Sequence, residues 1–356
     1  MGKTVILGGY MASIMAEEAL KHCDSLVVGD VELVWHELLK DYEEGNLKKV
    51  YEKNLESGFF STPRPRFDLI INKRIGNFLP VQAGRGCPNT CSFCSVSCLY
   101  KGHYIKKPLE EVIRDIKQVK ELGFNRFLLL DDNIFSDREY LDKLLMEIKK
   151  LNMHWMSQCD IRIGREEELL KKLADSGCTT LSFGLESISK ESLKGMNKAW
   201  ANPLEYPYLI GNIHSHGIDV STEMVVGGEG DTLSTIRDTK KFIEDNKITV
   251  PRFYILTPIP GTKFFKDMTE AGRIIKDDIY SFDGTEAVHM PKNMTPGELT
   301  DAYWELYESL FTFRSILKRN IIRKEFLKKP DKYLFYAIVN LFYRYQIKQR
   351  ITPNIF

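Results

Sequence analysis

Gly84-Arg-Gly-Cys-Pro-Asn-Thr-Cys-Ser-Phe-Cys94 is the stretch that decides how this chain is read. Cys87, Cys91 and Cys94 stand in the spacing C-x3-C-x2-C. Such a triad supplies three thiolates to an iron–sulfur cubane, which ordinarily takes four cysteines, and leaves one iron open to a small chelating ligand. Two blander assignments compete: zinc with a distant fourth ligand, or inert buried thiols. Structural zinc favours paired C-x2-C knuckles, and the sequence offers no second pair. Cys98, just beyond the triad, is the obvious spare ligand and reads as a packing thiol or one beside the cluster.

The triad follows the apolar run Leu79–Gln82, which reads as a strand. Further strands are expected at Arg126–Leu130, Trp155–Ile161, Thr180–Gly184, Asp219–Val226 and Arg252–Leu256. Amphipathic helices alternate with them. One spans Pro108 to Leu122 and closes on Gly123, and others span Asp137 to Leu151 and Glu166 to Ser176. Six strands alternating with helices predict an α/β fold with a parallel sheet and right-handed crossovers. Upstream, Thr4–Gly9 and Ser25–Asp30 read as strands, and Ala12–Cys23 and Val31–Tyr42 as helices. The residues that follow look irregular, and the prolines of Ser61-Thr-Pro-Arg-Pro-Arg66 mark a linker. From Thr295 to Phe356 the pattern is helical, aromatic and basic.

A chain of 356 residues with 43% hydrophobic content can bury a sizeable core. Its net charge of +1 gives no global argument for an anionic partner. The charge is uneven, however. Arg314 to Arg350 carries eleven Lys/Arg against Glu325 and Asp331, so this stretch is +9 and the rest of the chain is −8. Phe326, Tyr333, Phe335, Tyr336, Phe342, Tyr343 and Tyr345 are interleaved with those charges. The pattern suits a helical cap on the barrel, peripheral contact with an anionic membrane, or nucleic acid, which ranks below the membrane. Seven cysteines without a paired pattern, and no signal-like start, lead us to expect a reducing cytoplasm. No apolar run reaches the ~18 residues of a membrane span.

Residues at the strand ends are the candidates for binding. Asp131, Asp132 and Asn133 follow Phe127–Leu130 and offer the oxygens that hold a cation, or a helix cap. Gln158 and Asp160 alternate with Cys159, so they share one strand face. Glu186 and Ser187 end the fourth strand, with helix capping as the alternative for Ser187. Gly227 and Gly228 end the fifth and permit close backbone approach to a ligand, or a simple turn. Thr257 and Pro258 follow the sixth. His214 and His216 are two apart, share no helix face, and read as a helix end.

The cysteine loop resembles that of the radical S-adenosylmethionine (SAM) superfamily. That resemblance implies a partial (β/α)6 barrel with its chemistry at the C-terminal strand ends. It also implies a [4Fe–4S] cluster on Cys87, Cys91 and Cys94. SAM would chelate the open iron and be cleaved to a 5′-deoxyadenosyl radical that abstracts hydrogen. By the same resemblance, Asp131, Asp132 and Asn133 would meet the SAM ammonium, and Glu186 and Ser187 its carboxylate and ribose. Thr257 and Pro258 would flank the adenine, while Gln158 and Asp160 stay open among substrate, SAM and plain packing, and Gly227 and Gly228 depart from the family pattern at that strand end. An electron donor such as flavodoxin or ferredoxin is implied, as is oxygen sensitivity.

Val5–Gly9, Glu17–Leu20, Val27–Glu32, Trp35 and Thr257-Pro-Ile-Pro-Gly-Thr262 resemble the cobalamin-binding subgroup, including hopanoid methylases. The resemblance divides the chain into a Rossmann-like remnant (1–45), a linker (46–77), the barrel (78–290) and a C-terminal helical region (291–356). A full cobalamin domain needs about 100–150 residues, which 1–45 does not approach, and the Asp-x-His-x-x-Gly segment is absent. The expected activity is therefore hydrogen abstraction from a lipid, natural-product or other small-molecule substrate without a self-contained cobalamin site. The alternatives are cobalamin-dependent carbon methylation using a partner or residual domain, RNA modification, and a non-catalytic scaffold.

Overall fold

Three short strands open the chain in the computed structural model, which describes residues 2–52, 59–71, 73, 76, 78–276 and 278–353. They are β1 (Ile6–Leu7), β2 (Ser25–Val28) and β3 (Val50–Glu52), paired in parallel in that order. Between them run α1 (Tyr10–Ile14), α2 (Ala16–Ala19) and α3 (Trp35–Glu43). The single helix expected over Ala12–Cys23 breaks at Met15, whose φ of −112° and ψ of 49° are not helical. β3 lies in a stretch that looked irregular in sequence. Three residues show no periodicity, and this strand exists because Val27 pairs with Tyr51, which is buried.

β4 (Leu79–Gln82) starts the main sheet. The ribbon β5 (Gly84–Gly86) and β6 (Tyr104–Lys106) brackets the cysteine loop and α4 (Ser95–Tyr100). The regular part then runs α5 (Leu109–Glu121), β7 (Arg126–Leu130), α6 (Arg138–Leu151), β8 (His154–Cys159), α7 (Glu167–Asp175) and β9 (Cys178–Glu186). It continues through α8 (Lys190–Gly195), α9 (Tyr206–Ser215), β10 (Asp219–Val226), α10 (Leu233–Asp245), β11 (Val250–Ile255) and α11 (Lys263–Glu270). Last come α12 (Pro296–Leu310), α13 (Phe313–Asn320) and α14 (Pro330–Lys348). The order across the sheet is β4-β7-β8-β9-β10-β11, with every neighbouring pair parallel. This is the six-unit α/β arrangement expected.

Strand alternation sorts the side chains. Phe127, Leu129, Trp155, Phe183, Val220 and Phe253 point to the helix layer and are essentially fully buried. There they meet Val112, Ile116 and Val119, spaced to share one face of α5. The opposite strand face, carrying Leu128, Met156, Gln158, Ser182, Glu223 and Arg252, lines the barrel interior. At the open edge, the Tyr307 hydroxyl of α12 accepts from Phe253 N (2.8 Å) and donates to Phe253 O (3.0 Å). One side chain thus satisfies both backbone groups of an edge-strand residue.

The basic tail packs across the N-terminal ends of the strands. Arg319, fully buried, donates to the carbonyls of Ile248, Thr249 and Leu310 and to Asn340 Oδ1. Asp219 of β10 pairs with Arg323 (3.5 Å) and Lys332 and accepts from the Tyr333 hydroxyl (3.2 Å). Three of the tail's eleven cations therefore seal the barrel floor, while Leu334, Ile338, Phe342 and Tyr345 of α14 remain exposed. His214 ends α9 with its ring nitrogens against the carbonyls of Ile218 and Asn246 (both 3.3 Å). No helix among the described residues is long and apolar enough to cross a membrane.

Candidate functional site

The cysteine loop is held by two glycines in tight surroundings. A Cβ at Gly84 would collide with the Tyr104 hydroxyl and Asp131 Oδ2. Gly86 has φ +82°, and a Cβ there would strike the His103 carbonyl. Gly86 N donates to Asp132 Oδ2 (2.7 Å), which ties the start of the loop to the end of β7. Cys94 N donates to Cys91 O (3.2 Å) as the loop enters α4.

Cys87, Cys91 and Cys94 line one cavity of about 420 Å³ at the C-terminal ends of the strands. No three His, Cys, Asp or Glu side chains among the described residues converge on a single metal ion. A cubane does not require that convergence, because each thiolate takes a different iron. Burial pushes the Cys91 thiol up to about 12 and raises that of Cys94. Metal coordination reverses this cost, since a coordinating thiol is deprotonated outright. The Asn133 side-chain amide donates toward Cys87 Sγ (3.7 Å), and its oxygen accepts from Asp160 N (3.0 Å). The donor set and the room around it fit a [4Fe–4S] cluster. Cys98 lies to one side, its thiol on the Gly261 carbonyl (3.1 Å).

Six of the eleven strand-end candidates share this cavity with the cysteines: Asp132, Asn133, Gln158, Asp160, Glu186 and Thr257. Glu186 holds its place at the cost of backbone strain, with φ +61°. Gly184 pairs with Glu223 and Glu186 with Met224, so Leu185 is an extra residue that bulges β9. The Glu186 carboxylate accepts from Lys198 Nζ (2.7 Å), which also donates to Gly184 O (2.6 Å). Burial opposes the charge of Lys198, yet Glu186 and Cys91 beside it hold it above the ordinary lysine value. Lys198 and Arg162 both lie over the Trp200 ring, at 5.2 and 4.1 Å, and Arg162 pairs with Asp160 (2.5 Å).

The other five candidates do not line the cavity. Asp131 is turned below it, bonded to the Tyr104 hydroxyl (2.7 Å) and Asn133 N (2.9 Å). Burial, reinforced by Asp132, raises its carboxyl to about 7. Ser187, Gly227 and Gly228 serve a different carboxylate. Asp231 accepts from Ser187 Oγ (3.1 Å), Ser192 Oγ (2.6 Å) and the amides of Gly227 and Gly228 (both 3.0 Å). A Cβ on Gly227 would meet Leu299, and one on Gly228 would meet Ser192, so these glycines allow packing and not ligand approach. Pro258 is buried in the turn after β11. Sequence reading missed Lys198, Arg162 and Trp200. Arg162 follows a strand end closely enough to have been noticed, but Lys198 and Trp200 sit in a loop after α8 with no periodic signal.

A corrinoid is a different case. Ser13 Oγ of α1 donates to Gly9 O (2.8 Å) and accepts from Gly29 N (2.9 Å), closing the ends of β1 and β2. Tyr10 packs against Phe60, Tyr100 and Ile105, and a Cβ on Gly261 would strike Ile14. His22 and His36, the histidines of this segment, are both exposed and lie away from the strand ends. The described N-terminal residues do not by themselves form a corrin cradle.

Comparison with known proteins agrees with the cysteine loop and the sheet. The radical SAM superfamily pattern matches residues 81–243. The bacteriochlorophyllide d C-12(1)-methyltransferase of Chlorobaculum tepidum is 30% identical over 365 aligned positions, covering 100% of this chain and 77% of that one. The hopanoid C-2 methylase of Rhodopseudomonas palustris is 27% identical over 207 residues, or 56% of this chain and 39% of that one. Among solved structures, the cobalamin-dependent SAM radical enzyme OxsB, with aqua-cobalamin and SAM bound, superposes with a TM-score of 0.64 at 13% identity. That match covers 95% of this chain and 59% of OxsB. A cysteine triad after the first strand of a six-stranded parallel sheet, and a relative matched along the whole chain, lead to one conclusion: this protein belongs to the radical SAM superfamily of enzymes, which use a [4Fe–4S] cluster and SAM.

Proposed function

We propose that Cys87, Cys91 and Cys94 hold a [4Fe–4S] cluster at which SAM is cleaved reductively, and that the barrel presents a substrate carbon for hydrogen abstraction. The observation that carries this is the shared cavity: three thiols, Asp132, Glu186, Lys198 and Trp200 face one space, and Arg162 stacks on the Trp200 ring beside it. When bound, the cluster and SAM supply a one-electron cleavage that yields a 5′-deoxyadenosyl radical. The protein's part is positioning. Asp132 offers an acceptor for an ammonium, and Lys198 and Arg162 offer donors for a carboxylate. Asn133 donates toward the Cys87 sulfur, and Thr257 borders the space where the adenine would lie. A low-potential flavodoxin or ferredoxin would deliver the electron.

A second reading, methyl transfer to carbon, is favoured by the whole-chain likeness to a bacteriochlorophyllide methyltransferase. One anaerobic experiment tests both. The reconstituted enzyme is given SAM and dithionite, with and without methylcobalamin, and 5′-deoxyadenosine and S-adenosylhomocysteine are quantified. Deoxyadenosine formed by the wild type and not by Cys91→Ala supports the first reading. Homocysteine product that needs methylcobalamin adds the second. A fully loaded cluster that gives neither product overturns both.

A further inference from the structure

Below the cysteine cavity the barrel holds a second chamber of about 300 Å³. Its walls are Leu128, Met156 and Val250 of the sheet, and its floor is Phe335, Tyr336 and Val339 of α14. Gln158, Ser182 and Glu223 line both chambers, so the two meet at a polar belt. The belt runs across four adjacent strands: Gln158 on β8, Ser182 on β9, Glu223 on β10 and Arg252 on β11. Gln158 faces Ser182 in register, and Glu223 faces Arg252.

This belt is half-buried and sparsely bonded. Arg252 carries five donors, and among the described residues only Glu223 accepts from it. Gln158 makes one long contact to the same Glu223 oxygen (3.4 Å). The Ser182 hydroxyl is buried with no hydrogen-bond partner among the described residues. An arginine anchored on one side by a carboxylate presents its remaining N–H groups on the other, here on a half-buried belt. Charge then decides what they receive. Glu223 already neutralises Arg252, so an anionic ligand would bring an uncompensated charge into a partly apolar chamber. A neutral oxygen acceptor would not.

We propose that the substrate is an apolar molecule with an uncharged carbonyl group, a ketone, ester or amide. Arg252 and Ser182 bind that oxygen, and a hydrocarbon arm fills the chamber floored by α14. Gln158 borders the same oxygen. This inference rests on the barrel being the reaction chamber, as proposed above, and names the substrate class it takes.

The test is isothermal titration of 2-octanone and octanoate into the anaerobically reconstituted enzyme. Wild type is expected to bind the ketone about tenfold more tightly than the carboxylate, a difference of about 1.4 kcal/mol. Glu223→Gln leaves the belt positive and should reverse that order. Val339→Trp fills the lower chamber and should abolish binding of both. Octanoate preferred by wild type, an unchanged order in Glu223→Gln, or unchanged affinity in Val339→Trp each overturns the inference. Thermal melts establish that each variant is folded. SAM cleavage by the same wild-type preparation separates the two failures: cleavage without ketone binding sinks this inference alone, and no cleavage sinks the reading beneath it.

Discussion

At the N-terminal ends of the strands Asp219 is ringed by Arg323, Lys332 and Tyr333, and Arg319 is held by three carbonyls and Asn340. At the C-terminal ends the same residue types are left with capacity. Asp132 takes one backbone amide, Glu186 sits on strained backbone against Lys198, and half-buried thiols face open space. Both ends are charged, but they differ in what the charges face. At the lower end Asp219 and Arg319 are held by protein groups, although Arg319 Nε and Asn320 Oδ1 stay unpaired among the described residues, whereas the upper end opens onto a cavity. A charge cluster packed against protein groups holds a fold together, whereas one that borders a cavity is placed for a ligand. The +9 tail shows how easily the two are confused: its most buried cations belong to the packed end.

That contrast can be broken from either side. The largest effect is expected from Cys91→Ala, which should lose cluster iron and all deoxyadenosine while its urea midpoint stays close to wild type. A collapse in stability instead would make the loop structural. Arg319→Ala is the mirror experiment. It orphans buried carbonyls and should cost about 3 kcal/mol in urea unfolding, with cluster content in the surviving folded fraction unchanged. Loss of the cluster there would mean that the two ends are coupled.

Lys198→Met should weaken SAM binding about tenfold, the effect of a lost charge-assisted hydrogen bond of about 1.5 kcal/mol. Equilibrium dialysis of labelled SAM measures it, and wild-type affinity would return Lys198 to a purely structural partner of Glu186. Tyr307→Phe should lower stability by about 1–2 kcal/mol, read from the urea midpoint, because the Phe253 amide and carbonyl lose their partner.

The most delicate prediction concerns Asp131. Burial raises its carboxyl from the ordinary aspartate value of 3.8 to about 7, so the folded state holds a proton that the unfolded state has released. The stabilising contribution is complete below about pH 4 and is lost as pH rises through about 7. Asp131→Asn should therefore flatten the fall in urea midpoint between pH 5 and pH 8. An equal slope in the variant would assign the dependence to other groups.

Legibility in sequence followed the range of the interaction. The strands Leu79–Gln82, Arg126–Leu130 and Asp219–Val226 coincide with their sequence assignments, because apolar runs bounded by turn residues carry their own signal. α5, α6 and α7 fall within a residue of expectation for the same reason. β3 was not legible, since a three-residue strand is created by its partner. The strand-end candidates divide similarly. Gln158 reaches the cavity wall, as simple alternation expects. Ser187 instead bonds Asp231, just past the bulge at Leu185, and bulges leave no mark on composition.

Sequence alone determined the cysteine triad, the alternation of strands and helices, and hence the superfamily. Each depends on spacing within a few residues, where local geometry leaves little freedom. Tertiary structure alone decided which carboxylates face the cysteines, that Asp231 claims Ser187, Gly227 and Gly228, and that α14 floors the barrel. It also brought Gln158, Ser182, Glu223 and Arg252 into one belt. Those residues lie far apart along the chain, and only hydrogen-bonded register between parallel strands sets them side by side.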